Sequence, residues 1–320
     1  VTVRTTADAG RGRPDRRPPR AGTGRAVLAV VLAALVLLGA DAALLAARVD
    51  RVAVDLNPGP GTTWVLLGLD DRAALPAGAP MAEFGTAEQV PGSRADVVLV
   101  VHEDGDRTSL LSVPRDLLVR GPRVPERLAL TWLRGPQGTV DALCDLGIPT
   151  DHLVTVDLAG FAAVVDAVGG IDLDVPVPVR DPAAGLLVTE GGPQHVDGRT
   201  ALALVRSRHP EHRVDGRWVP VPPDPDGRAS AAATVLTALA AAARTGALQP
   251  GRLQATAWAA SSALTVDTAT SLADFAALAG TDPSRVDVLP GEARDGPVPV
   301  RLPTAETADA LTAAGLSCQR

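Results

Sequence analysis

Arginines and carboxylates recur where apolar runs stop. Asp70 and Arg72 follow "TTWVLLG"; Arg94 and Asp96 open "ADVVLVV"; Arg115 and Asp116 close "LLSV" after Pro114. Arg206 and Arg208 end "ALALVRSRH", and Asp224, Asp226 and Arg228 precede an alanine-rich run. Guanidinium forks match phosphate oxygens in geometry and charge. One or two carboxylates beside bound phosphates suit Mg²⁺ or Mn²⁺, hard cations that complete their shell with phosphate oxygens and water. If the strand ends are neighbours, these groups converge into a site for a polyphosphate held with a divalent cation.

Each group also has a plainer role. Arg115 can balance Asp116, and Arg94 can pair with Asp96 at a hairpin edge. Arg206 and Arg208 can complement a helix C-terminus, and they share a site only if the helix ends there, because residues two apart lie on different faces. Asp224 or Asp226 can be an N-cap. His209 and His212 read as solvated side chains beside a loop. No G-x-S-x-G elbow is present, so a serine hydrolase is not indicated.

The elements that must position these groups mix strands and helices. Apolar strands are expected over 62–70 and, around the turn "EDGD", over 95–113. Residues 71–93 read as a Gly/Pro/Ala loop, and 114–138 as irregular. Helices are expected over 139–147, 157–170, 196–209, 228–244, 251–264, 271–280 and 304–315. Residues 171–179 alternate as a strand that Pro176 and Pro178 mark as an edge. "RVDVLP" at 285–290 is a further apolar segment. No internal repeat is apparent, and one α/β domain is the simplest account.

Residues 1–25 are rich in Arg, Pro and Gly without apolar periodicity, as in a disordered tail. Residues 26–47, "AVLAVVLAALVLLGADAALLAA", are long enough to cross a bilayer. Seven arginines precede them, which places the N-terminus in the cytoplasm and the remainder outside the cell membrane as a single-pass protein. "ADA" at 40–42 imitates a signal-peptide cleavage site, but the apolar core is long for one, and an uncleaved anchor is the preferred reading over that or a buried helix. Residues 48–61, with "NPGPG", read as a linker, leaving 62–320 as the domain.

The chain carries 30 Lys+Arg, all arginine, and 37 Asp+Glu. GC-rich coding explains this bias toward Arg, Ala, Gly, Pro and Val, so each arginine must be weighed by position. Removing residues 1–47, with their seven arginines and three acids, leaves 23 against 34, a net charge near −11. Nucleic-acid binding wants a basic footprint, which this body lacks. Cys144 and Cys318 can form a bridge pinning the C-terminal tail or remain two buried thiols, and the sequence leaves both open.

The segments "LLGLDDR", "SRADVVLVV", "LLSVPRDLLV", "DHLVTVDLAGFAAVVDAVGGIDLDVPVPV" and "GGPQHVDGRTALALVRSRH" resemble, in order, those of LytR-CpsA-Psr (LCP) proteins of the actinobacterial type. The resemblance covers about residues 62–245. It implies a single extracellular α/β/α domain with a mixed central sheet. It also implies a Mg²⁺-dependent phosphotransferase that moves a glycopolymer from a polyprenyl-pyrophosphate carrier to peptidoglycan or a related cell-wall glycan. By matched position, Arg115, Arg206 and Arg208 would clamp the pyrophosphate, with Arg94 and Arg228 as further phosphate contacts. Asp96 would bind the metal supported by Asp70, with Asp224 and Asp226 as further candidates, and the lipid tail would enter an apolar cavity. The match departs where the family carries Asp-x-x-Arg-x-x-Arg-Gln: Pro225, Ala231 and Ala232 occupy three of those positions, and the family's Lys- or Arg-started "INAAY"-like segment is matched only weakly by "RLALTW" (127–132), which offers Arg127. A hydrolase of polyprenyl pyrophosphate, or a non-catalytic protein that grips the lipid or polymer, are the competing readings.

Overall fold

In the computed structural model the chain is described over residues 21–72, 75–76, 91–222, 227–280, 286–294, 296 and 298–318. The first element is helix α1 (Ala21–Arg48), long and apolar enough to cross a membrane by length and composition. The chain divides into two compact units after Leu44, and every element below belongs to the second.

That unit begins with β1 (Asp50–Val52), β2 (Thr62–Leu69), β3 (Ala95–Asp104), β4 (Arg107–Ser112), β5 (Leu118–Val119) and β6 (Glu126–Arg127). Helices α2 (Leu128–Thr131) and α3 (Pro136–Asp145) precede β7 (His152–Val156), α4 (Leu158–Ala167), β8 (Ile171–Val175), β9 (Val179–Asp181), β10 (Leu186–Val188) and β11 (Gly192–Val196). Then come α5 (Gly198–Arg206), β12 (Glu211–Val214), β13 (Arg217–Pro220), α6 (Gly227–Ala247), α7 (Pro250–Ala263), β14 (Leu264–Asp267) and α8 (Leu272–Gly280). Strands β15 (Asp287–Val288), β16 (Glu292–Arg294) and β17 (Val300–Leu302) lead to α9 (Ala305–Ala313).

Seven strands form the central sheet in the order β1-β14-β7-β2-β3-β4-β15. It is mixed: β2 is antiparallel to β3 and parallel to β7, and β4 is antiparallel to β3 and parallel to β15. The β3–β4 turn falls on "EDGD", where Gly105 takes the positive φ of +58° that a tight hairpin turn asks for. Alternate residues of the apolar runs serve opposite faces. Val65, Leu67, Val98 and Val100 pack with Val140 and Leu143 of α3 and Leu311 of α9. Trp64, Val101, Val154 and Val266 pack with Phe275 and Leu278 of α8. Helices therefore cover both faces, the α/β/α arrangement expected.

Two expectations need correction, and one open alternative is decided. Residues 48–61 are not a free linker: β1 pairs with β14, and Thr150 N donates to the Asn57 carbonyl at 2.7 Å. The compact unit accordingly starts at Leu45, not at 62. Residues 171–179 are not one strand, because prolines break the ladder: β8 pairs with β11, whereas β9 joins a separate sheet ordered β10-β9-β12-β13. Cys144 and Cys318 are joined by a disulfide with Cα atoms 5.2 Å apart, fastening residue 318 to the end of α3. Most of the expected loop at 71–93 lies outside the described residues.

Candidate functional site

Sheet register brings the first polar groups together. The β2–β3 ladder ends at Leu69↔Ala95 after an irregularity at Gly68, so Asp70 and Arg94 are neighbours, and Asp70 N donates to the Arg94 carbonyl at 2.9 Å. Strand β4 runs back along β3, with Ser112 opposite Leu99 and Val113 N donating to the Val98 carbonyl at 2.9 Å. Two residues further along, Arg115 reaches Asp96: its Nη1 donates to Asp96 Oδ1. Pro114 cannot extend the ladder, and the chain turns there, with Leu117 N donating to the Pro114 carbonyl at 3.0 Å.

Helix α5 brings further groups to the same end of the sheet. Asp197 caps it, accepting from Thr200 N at 2.8 Å, and Asp166 Oδ1 of α4 accepts from Gly198 N at 2.7 Å. A Cβ at Gly198 would stand 2.1 Å from the Ala162 carbonyl oxygen, so only glycine allows this close approach. The "VDAVGG" and "VDG" motifs thus lock two helices together, and α5 stops at Arg206. Ser207 leaves the helix with φ −57° and ψ 128°. Buried Asp181 (1% exposed) holds the turn that follows: its Oδ2 accepts from Ser207 Oγ at 2.9 Å, Arg208 N at 2.8 Å and His209 N at 2.9 Å. Burial alone would raise the Asp181 pKa, but the hydrogen bonds from His209, Arg208, Ser207 and Ala183 together hold it below the usual carboxylate value.

The turn delivers Arg208 to the sheet end, where Nη2 lies 3.6 Å from Asp96 Oδ2. Asp96 thus contacts both Arg115 and Arg208. Burial and the neighbouring Arg115 charge lower the Arg208 pKa, while Asp96 and Asp70 oppose that shift. A cavity of about 250 Å³ opens here, lined by Arg72, Arg94, Arg115, Arg127 and Arg208 with Asp70 and Asp116. Arg72 grips Asp70 through two bonds, Nη2 to Oδ2 at 3.0 Å and Nε to Oδ1 at 3.3 Å.

The sequence-derived candidates fare unequally. Asp70, Arg94, Arg115 and Arg208 line this cavity, and Asp96 contacts two of them. Arg206 does not line it: it is the last residue of α5, whereas Arg208 belongs to the turn beyond the helix end. Asp116 does not hold Arg115 but lies 3.6 Å from Arg301 Nε, whose backbone N donates to the Asp116 carbonyl at 3.0 Å. Asp224 and Asp226 lie outside the described residues, as does the side chain of Arg228; its backbone opens α6. Ala232 is buried at 2% exposure. Arg72, which closes "LLGLDDR" and was among the groups expected to converge, also lines the cavity, as does Arg127; the resemblance gave neither a phosphate role. Asp181 has a local signature, Asp-Pro at a capped turn with Ala183 N donating at 3.1 Å, but nothing local announces its reach to residues 207–209.

Among the described residues no three His, Cys, Asp or Glu side chains converge as a closed metal cluster. Asp70 lines the cavity and Asp96 contacts two of its arginines, and carboxylates in such a place suit a cation that takes one or two of them and completes its shell with phosphate oxygens. A larger, open cleft of about 590 Å³ beside Gly170 and His195 shares no residue with this cavity and is lined by no arginine. It is the less suitable of the two for a polyphosphate.

The LytR_cpsA_psr family description matches residues 45–218, more than half of the chain. The chain is 35% identical over 195 residues to "Probable cell wall biosynthesis protein LcpB" of Corynebacterium glutamicum, covering 58% of this chain and 46% of that protein. It is 31% identical over 144 residues to the "Polyisoprenyl-teichoic acid--peptidoglycan teichoic acid transferase TagV" of Bacillus subtilis, covering 42% of this chain and 37% of TagV. It therefore spans less than half the length of these two relatives. The solved "LytR-Csp2A-Psr enzyme from Actinomyces oris" superposes with a TM-score of 0.69 at 37% identity, covering 84% of this chain and 97% of that one.

Proposed function

The chain belongs to the LytR-CpsA-Psr family, and from that premise we propose that it is a phosphotransferase. Its donor would be a glycopolymer on a polyprenyl-pyrophosphate carrier, and its acceptor peptidoglycan or a related cell-wall glycan. The observation that carries this reading is the meeting of five arginines around Asp70, with Asp96 bridging Arg115 and Arg208. Seven arginines before the apolar run at 26–47 support an N-terminus in the cytoplasm and a domain outside, facing the wall.

Phosphoryl transfer asks a protein mainly to position and to stabilise charge. The acceptor hydroxyl oxygen bonds to the sugar-side phosphorus, the pyrophosphate bridge breaks, and polyprenyl phosphate leaves. Arg115 and Arg208 are placed to take up the charge on the transferring and leaving phosphates. Arg72, Arg94 and Arg127 extend the donor set along the cavity. Asp70 and Asp96 would hold Mg²⁺ or Mn²⁺, which supplies charge neutralisation to the phosphate oxygens when bound.

A second reading has its own observation. Ala231 and buried Ala232 replace the arginine and glutamine usual in the family, which favours a protein that grips the donor without turning it over. The deciding experiment offers the full chain a short-chain polyprenyl-pyrophosphate sugar, a wall-glycan oligomer and Mg²⁺, and follows polyprenyl phosphate. Release that requires acceptor supports transfer, and release into water without acceptor supports a hydrolase. Tight binding without release supports the gripping protein.

A further inference from the structure

Trp258 on α7 is 44% exposed, a large amphipathic ring left at the surface. Among the described residues its cation contact is Arg48, whose guanidinium carbon lies 3.8 Å from the ring centroid and whose Nε donates to Ser261 Oγ at 3.2 Å, one turn further along α7. Arg48 is the last residue of α1 and directly follows the apolar run Ala26–Ala47. At 1.5 Å per residue that run measures about 33 Å, against a hydrocarbon core of about 30 Å. If the run crosses a bilayer, Arg48, at its outer end, emerges at the level of the lipid headgroups, and Trp258 and Ser261, which hold it, are near that level too.

The next residues give the chain no slack to leave that level. Strand β1 pairs with β14, the strand that follows α7, and Arg51 Nη1 donates to the Thr270 carbonyl at 2.8 Å. Leu248 and Leu253, on the approach to α7 and in its second turn, are 85% and 50% exposed. Tryptophan and arginine are the side chains suited to this layer, the ring by its apolar body and polar N–H, the guanidinium by its match to lipid phosphate.

We propose that α7 is a membrane-contact element: Trp258 and Arg48 sit as a stacked pair in the headgroup layer of the outer leaflet. The inference rests on α1 spanning the membrane, so the test separates the two.

The full chain is reconstituted into vesicles of equal parts phosphatidylcholine and phosphatidylglycerol carrying bromine on the acyl chains near the headgroup. Flotation with the vesicles is scored first, then quenching of tryptophan fluorescence. The chain has four tryptophans, so the wild type is compared with Trp258→Phe, a surface change that leaves the core intact. The expected result is that both float, that the wild type is quenched, and that the quenched component disappears in the variant. Deeper bromine labels should quench less. Flotation with equal quenching in both proteins would overturn the contact while leaving the membrane span intact; a full chain that does not float would overturn the span and the contact with it.

Discussion

Asp116 pairs with Arg301, not with Arg115, its neighbour in sequence: the carboxylate lies 3.6 Å from Arg301 Nε, and Arg301 is only 4% exposed. Removing one partner of a buried ion pair takes away part of what offsets the other charge. Asp116→Ala should therefore lower stability by about 1–3 kcal/mol, less than a wholly buried pair because Asp116 keeps some contact with water. Urea denaturation measures it, and unchanged stability would show that Arg301 is satisfied without Asp116.

Arg115→Ala should behave differently. Asp96 keeps Arg208, so the fold loses little, while a phosphate contact disappears. A charged hydrogen bond of about 1.5–3 kcal/mol corresponds to roughly a ten- to hundred-fold loss in turnover or donor affinity. Kinetics paired with a melting curve separates the two effects. A variant with wild-type kinetics would remove Arg115 from the phosphate site.

Asp181 makes the turn at 207–209 sensitive to acid. Its folded pKa lies below the usual carboxylate value of 3.8. Its contribution to stability is therefore complete above pH about 4 and disappears as pH falls through the lower folded value. Asp181→Ala should be less stable at neutral pH and lose less on acidification than the wild type. Parallel acid limbs in denaturation series would contradict this.

The Cys144–Cys318 bridge closes a loop with a sequence separation of 174. Constraining so long a loop in the unfolded chain contributes about 2–5 kcal/mol in proteins generally. Reduction, or Cys144→Ser with Cys318→Ser, should lower the midpoint of unfolding accordingly. Superposed denaturation curves in oxidant and reductant would show that the loop is already restricted by other contacts.

What could be read from the sequence was what is local. The apolar runs, "EDGD" and the glycines placed β2, β3, β4, α4 and α5 close to where they lie, and the strand-end position of Arg115 followed from Pro114. Partner choice was not local. Asp116 has a charged neighbour in sequence and another far along the chain; only the turn after Pro114 decides between them. Asp181 acts on residues 207–209 through a packed interior that no periodicity reveals. The edge strand β1 was hidden for a related reason: three residues between a membrane-like run and "NPGPG" carry too weak a pattern, and their pairing partner β14 lies far along the chain, with Asp50 opposite Thr265. Asp224 and Asp226 remain candidates by sequence position alone.

The disulfide also dates the molecule. Because Cys318 is synthesised long after Cys144, the bond cannot close until α5, its Asp181-held turn and α7 have all been made. An oxidised chain is therefore one in which the two distant ends of this loop have found each other. Its mobility on a non-reducing gel offers a clock for completion of the fold, readable without any knowledge of the substrate.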